Sequence, residues 1–292
     1  MIAKPELVLE ATAIVGEGPI WDDSNARLVW VDIPTGLVHL FDPESGRDKA
    51  ISMGQSVGVA VLGRKGSLIV ACADGFYGLD TSSGQTVLLA NVEEDLPESR
   101  MNDGACDAAG RLWAGTMSDK AVPGAGSLYR FDPDRVLTKV LSNLTISNGI
   151  DWSLDNSLMY YIDSATQTVD TFDFDLVSGS LSNRRTLIAI PHSEGMPDGL
   201  TVDTEGCLWV ALWGGGAVRR YSPDAVQIAH YDLPVEFVSC CAFGGPSYDD
   251  LYVTTGRYTL TPDEVKKQPG AGSLFRINPG VRGRPAYRWA GG

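Results

Sequence analysis

The chain has 292 residues, 43% of them hydrophobic and 21% charged, with a formal charge of −14. This is the make-up of a folded globular protein, and no stretch approaches the roughly 20 apolar residues that would span a bilayer. So acidic a chain repels phosphate backbones and anionic lipid, which removes nucleic acid and membranes from the expected partners.

At the N-terminus, Glu6 and Glu10 interrupt what would be the apolar region of a secretory signal, so the expected compartment is the cytoplasm. The run ELVLEATA (Glu6 to Ala13) is a strand candidate. Six segments follow, each with a leucine inside a short apolar run rich in β-branched and aromatic residues: Leu28, Leu68, Leu112, Leu158, Leu208 and Leu251, at steps of 40, 44, 46, 50 and 43 residues. Asp-Pro, Ser-Gly and Asp-Gly turns punctuate them, and helical periodicity is absent. Repeats of this length holding about four short strands are propeller blades. The expectation is an all-β chain, one six-bladed β-propeller of four-stranded antiparallel blades over residues 1–292, around a central channel that holds a metal. The third and sixth units carry longer inserts, after which GAGSLYRFDP (Gly124 to Pro133) and GAGSLFRINP (Gly270 to Pro279) resume the pattern. RPAYRWAG (Arg284 to Gly291) is a second terminal strand candidate, and one of the two ends should complete the other's blade, removing an exposed edge.

Ahead of four marking leucines lies a polar residue followed by glycine or close to one: Glu17, Asn102, Asn148 and Asp198, which precede their leucines by 11, 10, 10 and 10 residues. The first strand of a blade lines the channel, so equivalent positions fall on a ring around the axis, although up to 181 residues separate these four. Ser56 and Ser239 or Cys240 are the small residues near this level in the second and sixth units. Asn-Gly and Asp-Gly are also ordinary turn dipeptides, but four positions in register, one of them a Glu, favour a site. Two carboxylates and two carboxamides suit a hard divalent cation (Ca²⁺, Mg²⁺, Mn²⁺) or a similarly bound transition ion such as Zn²⁺ or Fe²⁺. Without a cation the two carboxylates would repel each other and one would be pushed towards its protonated form.

Arg100 lies two residues before Asn102, so strand alternation puts both on the channel face. Three histidines (His39, His192, His230) are too scattered to argue a Ser-His-Asp arrangement. His192, in the loop leading to Asp198, is the one placed to approach the channel mouth. Cys72, Cys106, Cys207, Cys240 and Cys241 include no CxxC pair and fit reduced core thiols. Trp21, Trp30, Trp113, Trp152 and Trp209 read as core between blades; Trp213 is less clearly so.

The segments GEGPIW, RMNDGACDAAGRLWAGTM, ISNGIDWSLD, PDGLTVDTEGCLWVALWGGG and CAFGGP resemble, in order and spacing, the regucalcin (senescence marker protein) and gluconolactonase family, which includes the luciferin-regenerating enzyme. The resemblance implies a six-bladed propeller, one divalent cation (Ca, Zn, Mn, Mg or Fe) and hydrolysis of a sugar lactone. It puts the metal ligands on Glu17, Asn148 and Asp198, and the substrate contacts on Arg100 and Asn102. Asp103 falls beside the cation, behind its direct ligands. In related organophosphate-hydrolysing propellers the position of Asn102 itself ligates metal, so its role stays open here. After GTM, where animal members have two acidic residues, this chain reads Ser118, Asp119, Lys120. Either Lys120 reaches the pocket, or its stem swings into solvent and Asp119 takes the acceptor role. Asp198 is the expected general base. The competing readings are a non-catalytic calcium-binding or regulatory propeller, and a metal-dependent hydrolase of another ester or of a phosphotriester.

Overall fold

The computed structural model describes residues 4–292, and nearly all its regular structure is antiparallel strand. After the short edge strand β1 (Glu6–Leu9), the chain lays down four sheets of four consecutive strands. The first holds β2 (Gly16–Asp22), β3 (Arg27–Asp32), β4 (Leu37–Asp42) and β5 (Arg47–Ser52). The second holds β6 (Val57–Leu62), β7 (Leu68–Cys72), β8 (Gly75–Leu79) and β9 (Thr86–Asn91). In the third are β10 (Ser99–Cys106), β11 (Leu112–Ser118), β12 (Gly126–Phe131) and β13 (Leu137–Leu144). In the fourth are β14 (Ser147–Trp152), β15 (Leu158–Asp163), β16 (Thr168–Asp175) and β17 (Ser180–Ala189). The remaining strands form one eight-stranded sheet. One half is β18 (Met196–Val202), β19 (Leu208–Trp213), β20 (Ala217–Tyr221) and β21 (Gln227–Asp232); the other is β22 (Phe237–Gly244), β23 (Asp250–Gly256), β24 (Leu274–Ile277) and β1. A single residue pair, Trp213 with Phe237, joins the halves. No helix among the described residues is long and apolar enough to cross a membrane.

The first strands of these groups make a closed circuit. β2 packs on β6, β6 on β10, β10 on β14, β14 on β18, β18 on β22, and β22 returns to β2. This is the architecture of a β-propeller, and the circuit surrounds its axis. Between the sheets lie the tryptophans: Trp30, Trp113, Trp152 and Trp209 are all but inaccessible, and truncating any one to alanine would cost roughly 3–5 kcal/mol. The N-terminal strand completes the last sheet by pairing with β24, Glu6 opposite Arg276, and this covers its edge.

The other terminal candidate is not a strand. Residues 284–291 carry no ladder; Pro285 has no N–H to donate, and the Arg284 guanidinium is tied to Asp151 and to the Trp152 carbonyl. Arg284, Pro285, Ala286 and Tyr287 instead close a small cavity of about 110 Å³ against the inner strands, and Trp289 stacks on Phe131.

All the inner strands break register with their neighbours at one level. The breaks fall between Glu17 and Ile20, Val57 and Val59, Met101 and Gly104, Ser147 and Ile150, Pro197 and Leu200, and Val238 and Cys240. Such an irregularity bends a strand and re-aims its side chains. In β2, β10, β14 and β18 it falls at the polar-glycine positions.

Candidate metal centre and cavity

The register breaks explain why polar residues recur here. Asn148-Gly149 and Asp198-Gly199 lie inside β14 and β18, not in turns. A Cβ on Gly149 would come within 2.7 Å of the Asp198 carbonyl oxygen, and one on Gly199 within 2.2 Å of the Cys240 sulfur. Glycine is therefore demanded by the close approach of neighbouring inner strands. The residue before it turns towards the axis.

Glu17, Asn102, Asn148 and Asp198 come together on the lining of one cavity of about 580 Å³, with Arg100 and Asp119. All four are buried. The Asn102 amide donates to the Asn148 Oδ1 (2.9 Å) and to the Ser147 carbonyl (2.8 Å), while its own Oδ1 accepts from the Arg100 guanidinium at 2.7 Å. Asn148 in turn donates to the Ser164 hydroxyl, 2.8 Å away. The carboxamides are thus locked in place.

The carboxylates are not. Glu17 accepts from the Gly18 N–H (2.8 Å) and has the Cys240 thiol as a further donor, while Asp103 accepts from the Gly104 N–H (2.7 Å). Asp198 accepts none among the described residues. Burial, followed by the Asp198 and Asp103 charges, pushes Glu17 well above the usual carboxylate range. Burial and the Asp103 charge raise Asp198 likewise, with Arg100 pulling it back. Asp103 is pushed up to about 6 by burial. Three acids short of donors and close enough to repel are in the state that a bound cation relieves.

The donor set fits such an ion. One donor atom each from Glu17, Asp103 and Cys240 lies within 4.8 Å of the others, all three residues being buried. This close group differs from the expected trio of Glu17, Asn148 and Asp198. Glu17 belongs to both; Asn148 and Asp198 line the large cavity, whereas Asp103 and Cys240 line the small one.

Around the wall, Arg100 meets Asp119 at 3.3 Å. Lys120 corrects one expectation: the cavity is lined by Asp119 and Ala121 but not by Lys120, whose ammonium is exposed and paired with Glu98 at 2.5 Å. The turn that follows β11, closed by the Ala121 N–H on the Ser118 carbonyl, carries it outward. His192 does not line the cavity either; it contacts Gln167. His39 pairs with Asp48 and stacks on Trp30, and His230 pairs with Asp232.

Two lining residues, Trp213 and Tyr258, carried little or no sequence signal, and a third, Ser56, lies at the ring level expected of it. Trp213 stacks on Phe237 with ring centroids 4.5 Å apart, and Tyr258 comes from the loop after β23. Ser56 lies in Gly54-Gln55-Ser56-Val57-Gly58, which has the letters of a nucleophile elbow. An elbow needs a helix to follow its serine, but here strand β6 follows and no histidine lines the cavity.

Comparison with known proteins identifies the family. Residues 15–257 match the SMP-30/Gluconolactonase/LRE-like region. The chain is 39% identical over 295 aligned residues to regucalcin of Oryctolagus cuniculus, covering 99% of both chains. It is 41% identical to "Putative sugar lactone lactonase YvrE" of Bacillus subtilis, covering 92% of this chain and 94% of the other. The crystal structure of a calcium-binding protein, regucalcin, from Agrobacterium tumefaciens superimposes with a TM-score of 0.95 at 31% identity, covering 99% and 97%. The chain is a member of the SMP-30/gluconolactonase/luciferin-regenerating enzyme family.

Proposed function

We propose that this chain is a metal-dependent sugar lactonase, opening an aldonolactone ring to the sugar acid. The observation that carries the reading is the set of donor-poor buried carboxylates on the lining of a cavity of about 580 Å³, beside an arginine and two carboxamides. That volume accommodates a monosaccharide. The fold is read as a single domain of six blades, the eight-stranded sheet counting as two because one residue pair joins its halves.

Glu17, Asn148 and Asp198 would hold one divalent cation, with Asp103 behind them. When bound, such an ion supplies Lewis-acid polarisation of the lactone carbonyl and charge to offset the oxyanion of the tetrahedral state. Asp198 is the general base: a carboxylate oxygen takes the proton of the attacking water and returns it to the ring oxygen as the C–O bond breaks. Arg100 and Asn102, bonded to each other, present guanidinium and amide donors that orient the sugar hydroxyls. Asp119 supplies an acceptor at the rim.

A pH-indicator assay on a panel of aldonolactones, with chelator-stripped and cation-reconstituted protein, tests the reading. Turnover should vanish on stripping and return with one equivalent of a divalent ion. Full turnover by stripped protein, or none by metal-loaded protein across the panel, would overturn it; the second outcome points to the binding or regulatory propeller.

A further inference from the structure

The lining of the large cavity is divided by chemistry around the axis. The guanidinium of Arg100, the amide of Asn102 and the rim carboxylate of Asp119 all come from the third sheet. The inner strands β18, β22 and β2 are consecutive in the circuit, and β22 lies three steps from β10, on the opposite side. Apart from Glu17 and Asp198, the segments around those three strands line the cavity with Met196, Trp213, Tyr258, Val15, Ile33 and Pro34, all aliphatic or aromatic. This sector is firmly built. The Trp213 ring stacks on Phe237 with centroids 4.5 Å apart and rests against Gly256, where a Cβ would come within 3.0 Å of it. Tyr258 stands 48% exposed on the loop after β23, which is fixed by the Arg257 N–H on the Ile14 carbonyl and the Leu260 N–H on the Arg257 carbonyl. Thr259 takes a φ of +65°, a left-handed conformation that a β-branched residue adopts only at a cost. Costs of that kind concentrate at ligand-binding segments. The cavity, about 580 Å³, is in the range that encloses drug-sized ligands and leaves space beyond one sugar ring.

We propose that this sector is an apolar subsite, and that the favoured substrates are lactones whose ring bears an alkyl or aryl substituent on the side away from Arg100 and Asn102. The inference rests on the lactonase reading and narrows its substrate class. The guanidinium and amide take the ring hydroxyls on one side of the axis. On the other side the substituent meets aromatic rings and the unbranched Met196, which adjusts to its shape. Each methylene buried there raises kcat/KM about fourfold until the substituent outgrows the sector.

The test uses metal-loaded protein and three probes: glucono-δ-lactone, δ-valerolactone, and δ-valerolactone with a pentyl group on the carbon next to the ring oxygen. The ratio of kcat/KM for the pentyl lactone to that for the unsubstituted ring should be at least about tenfold. It should fall at least about threefold in Tyr258→Ala and in Trp213→Ala, and recover in Tyr258→Phe. A ratio near one or below, with any of the probes hydrolysed, overturns the subsite and leaves the lactonase standing. A high ratio that neither alanine variant lowers also overturns it, because the apolar contact then lies elsewhere. Hydrolysis of none of the three overturns both readings. The ratio cancels losses of folded or metal-loaded protein, and Tyr258→Ala, on an exposed loop, decides even if Trp213→Ala folds poorly.

Discussion

Two kinds of buried carboxylate occupy the inner edge of this propeller, four or five residues apart along the chain, and they are treated in opposite ways. Asp107 and Asp203 follow Asn102 and Asp198 in the turns after the inner strands. Each is wholly inaccessible and fully engaged. Asp107 accepts from the backbone of Ala109 and Arg111, the Arg111 guanidinium and the Trp113 indole. Asp203 accepts from the backbone of Glu205 and Cys207, the Trp209 indole and the Arg220 guanidinium. Glu17, Asp103 and Asp198 have between them two backbone hydrogen bonds, both from adjacent N–H groups, and one thiol, Cys240, beside Glu17. Burial is common to the two sets, and the supply of donors separates them. A buried charge with its donors in place is part of the fold; one left without them stays repelled until a counter-charge is supplied.

The contrast predicts opposite consequences for the same kind of substitution. Asp203→Ala leaves the Trp209 indole N–H and two backbone N–H groups without their acceptor and Arg220 with Glu205 as its remaining partner, and is expected to cost roughly 3 kcal/mol in denaturant unfolding. Glu17→Gln in metal-free protein should leave stability unchanged or raise it, because it removes a repelled charge. If the two variants lose stability alike, the division between structural and functional carboxylates fails.

Next in size is the effect on turnover. Asp198→Asn keeps the shape and an oxygen ligand but removes the proton acceptor, so kcat should fall at least about 10²-fold while one equivalent of metal still binds. Normal kcat in a metal-loaded Asp198→Asn protein would move the base elsewhere.

A smaller effect, and one with a defined pH window, concerns Asp103. Its folded-state pKa is near 6 against an ordinary 3.8. The folded state therefore holds its proton more tightly than the unfolded chain does. The resulting penalty is absent below 3.8, grows as pH rises through the interval and is complete above 6. Metal-free Asp103→Asn should match wild type near pH 4 and exceed it above pH 6, by about 1 kcal/mol or more, followed as Tm. A Tm difference that does not change with pH would show that Asp103 meets no such penalty.

Much of this was legible in the chain before any coordinates. The 10- or 11-residue interval from polar residue to marking leucine worked because each unit reuses one inner strand with one register break. Arg100 with Asn102 was legible because alternation holds over two residues. The choice between Ser239 and Cys240 was not, because the sixth unit has no polar-glycine pair to set the register and the strand breaks register between Val238 and Cys240. Tyr258 and Trp213 reach the cavity from outside the inner strands, where the repeat offers no register. Residues 284–291 have strand-like composition, and only their tertiary anchor through Arg284 shows that they close the channel.

The smallest expected effect separates neighbours at the rim. Asp119 lines the cavity within 3.3 Å of Arg100, while Lys120 points outward to Glu98 with about two-thirds of its side chain in solvent (69%). An exposed ion pair of that kind contributes little, about 1 kcal/mol at most. Lys120→Ala should therefore leave the ranking of kcat/KM across a lactone panel intact and change each value less than about twofold, which is under 0.5 kcal/mol. Asp119→Asn removes the charge of the carboxylate that Arg100 meets at the rim, so it should shift relative kcat/KM among lactones that differ in their distal hydroxyls, by a few-fold. The comparison is internal to two adjacent residues, which cancels general effects on folding or metal content. A panel ranking that follows Lys120 and ignores Asp119 would mean that the rim rearranges when substrate binds, bringing the lysine inward and turning the aspartate out.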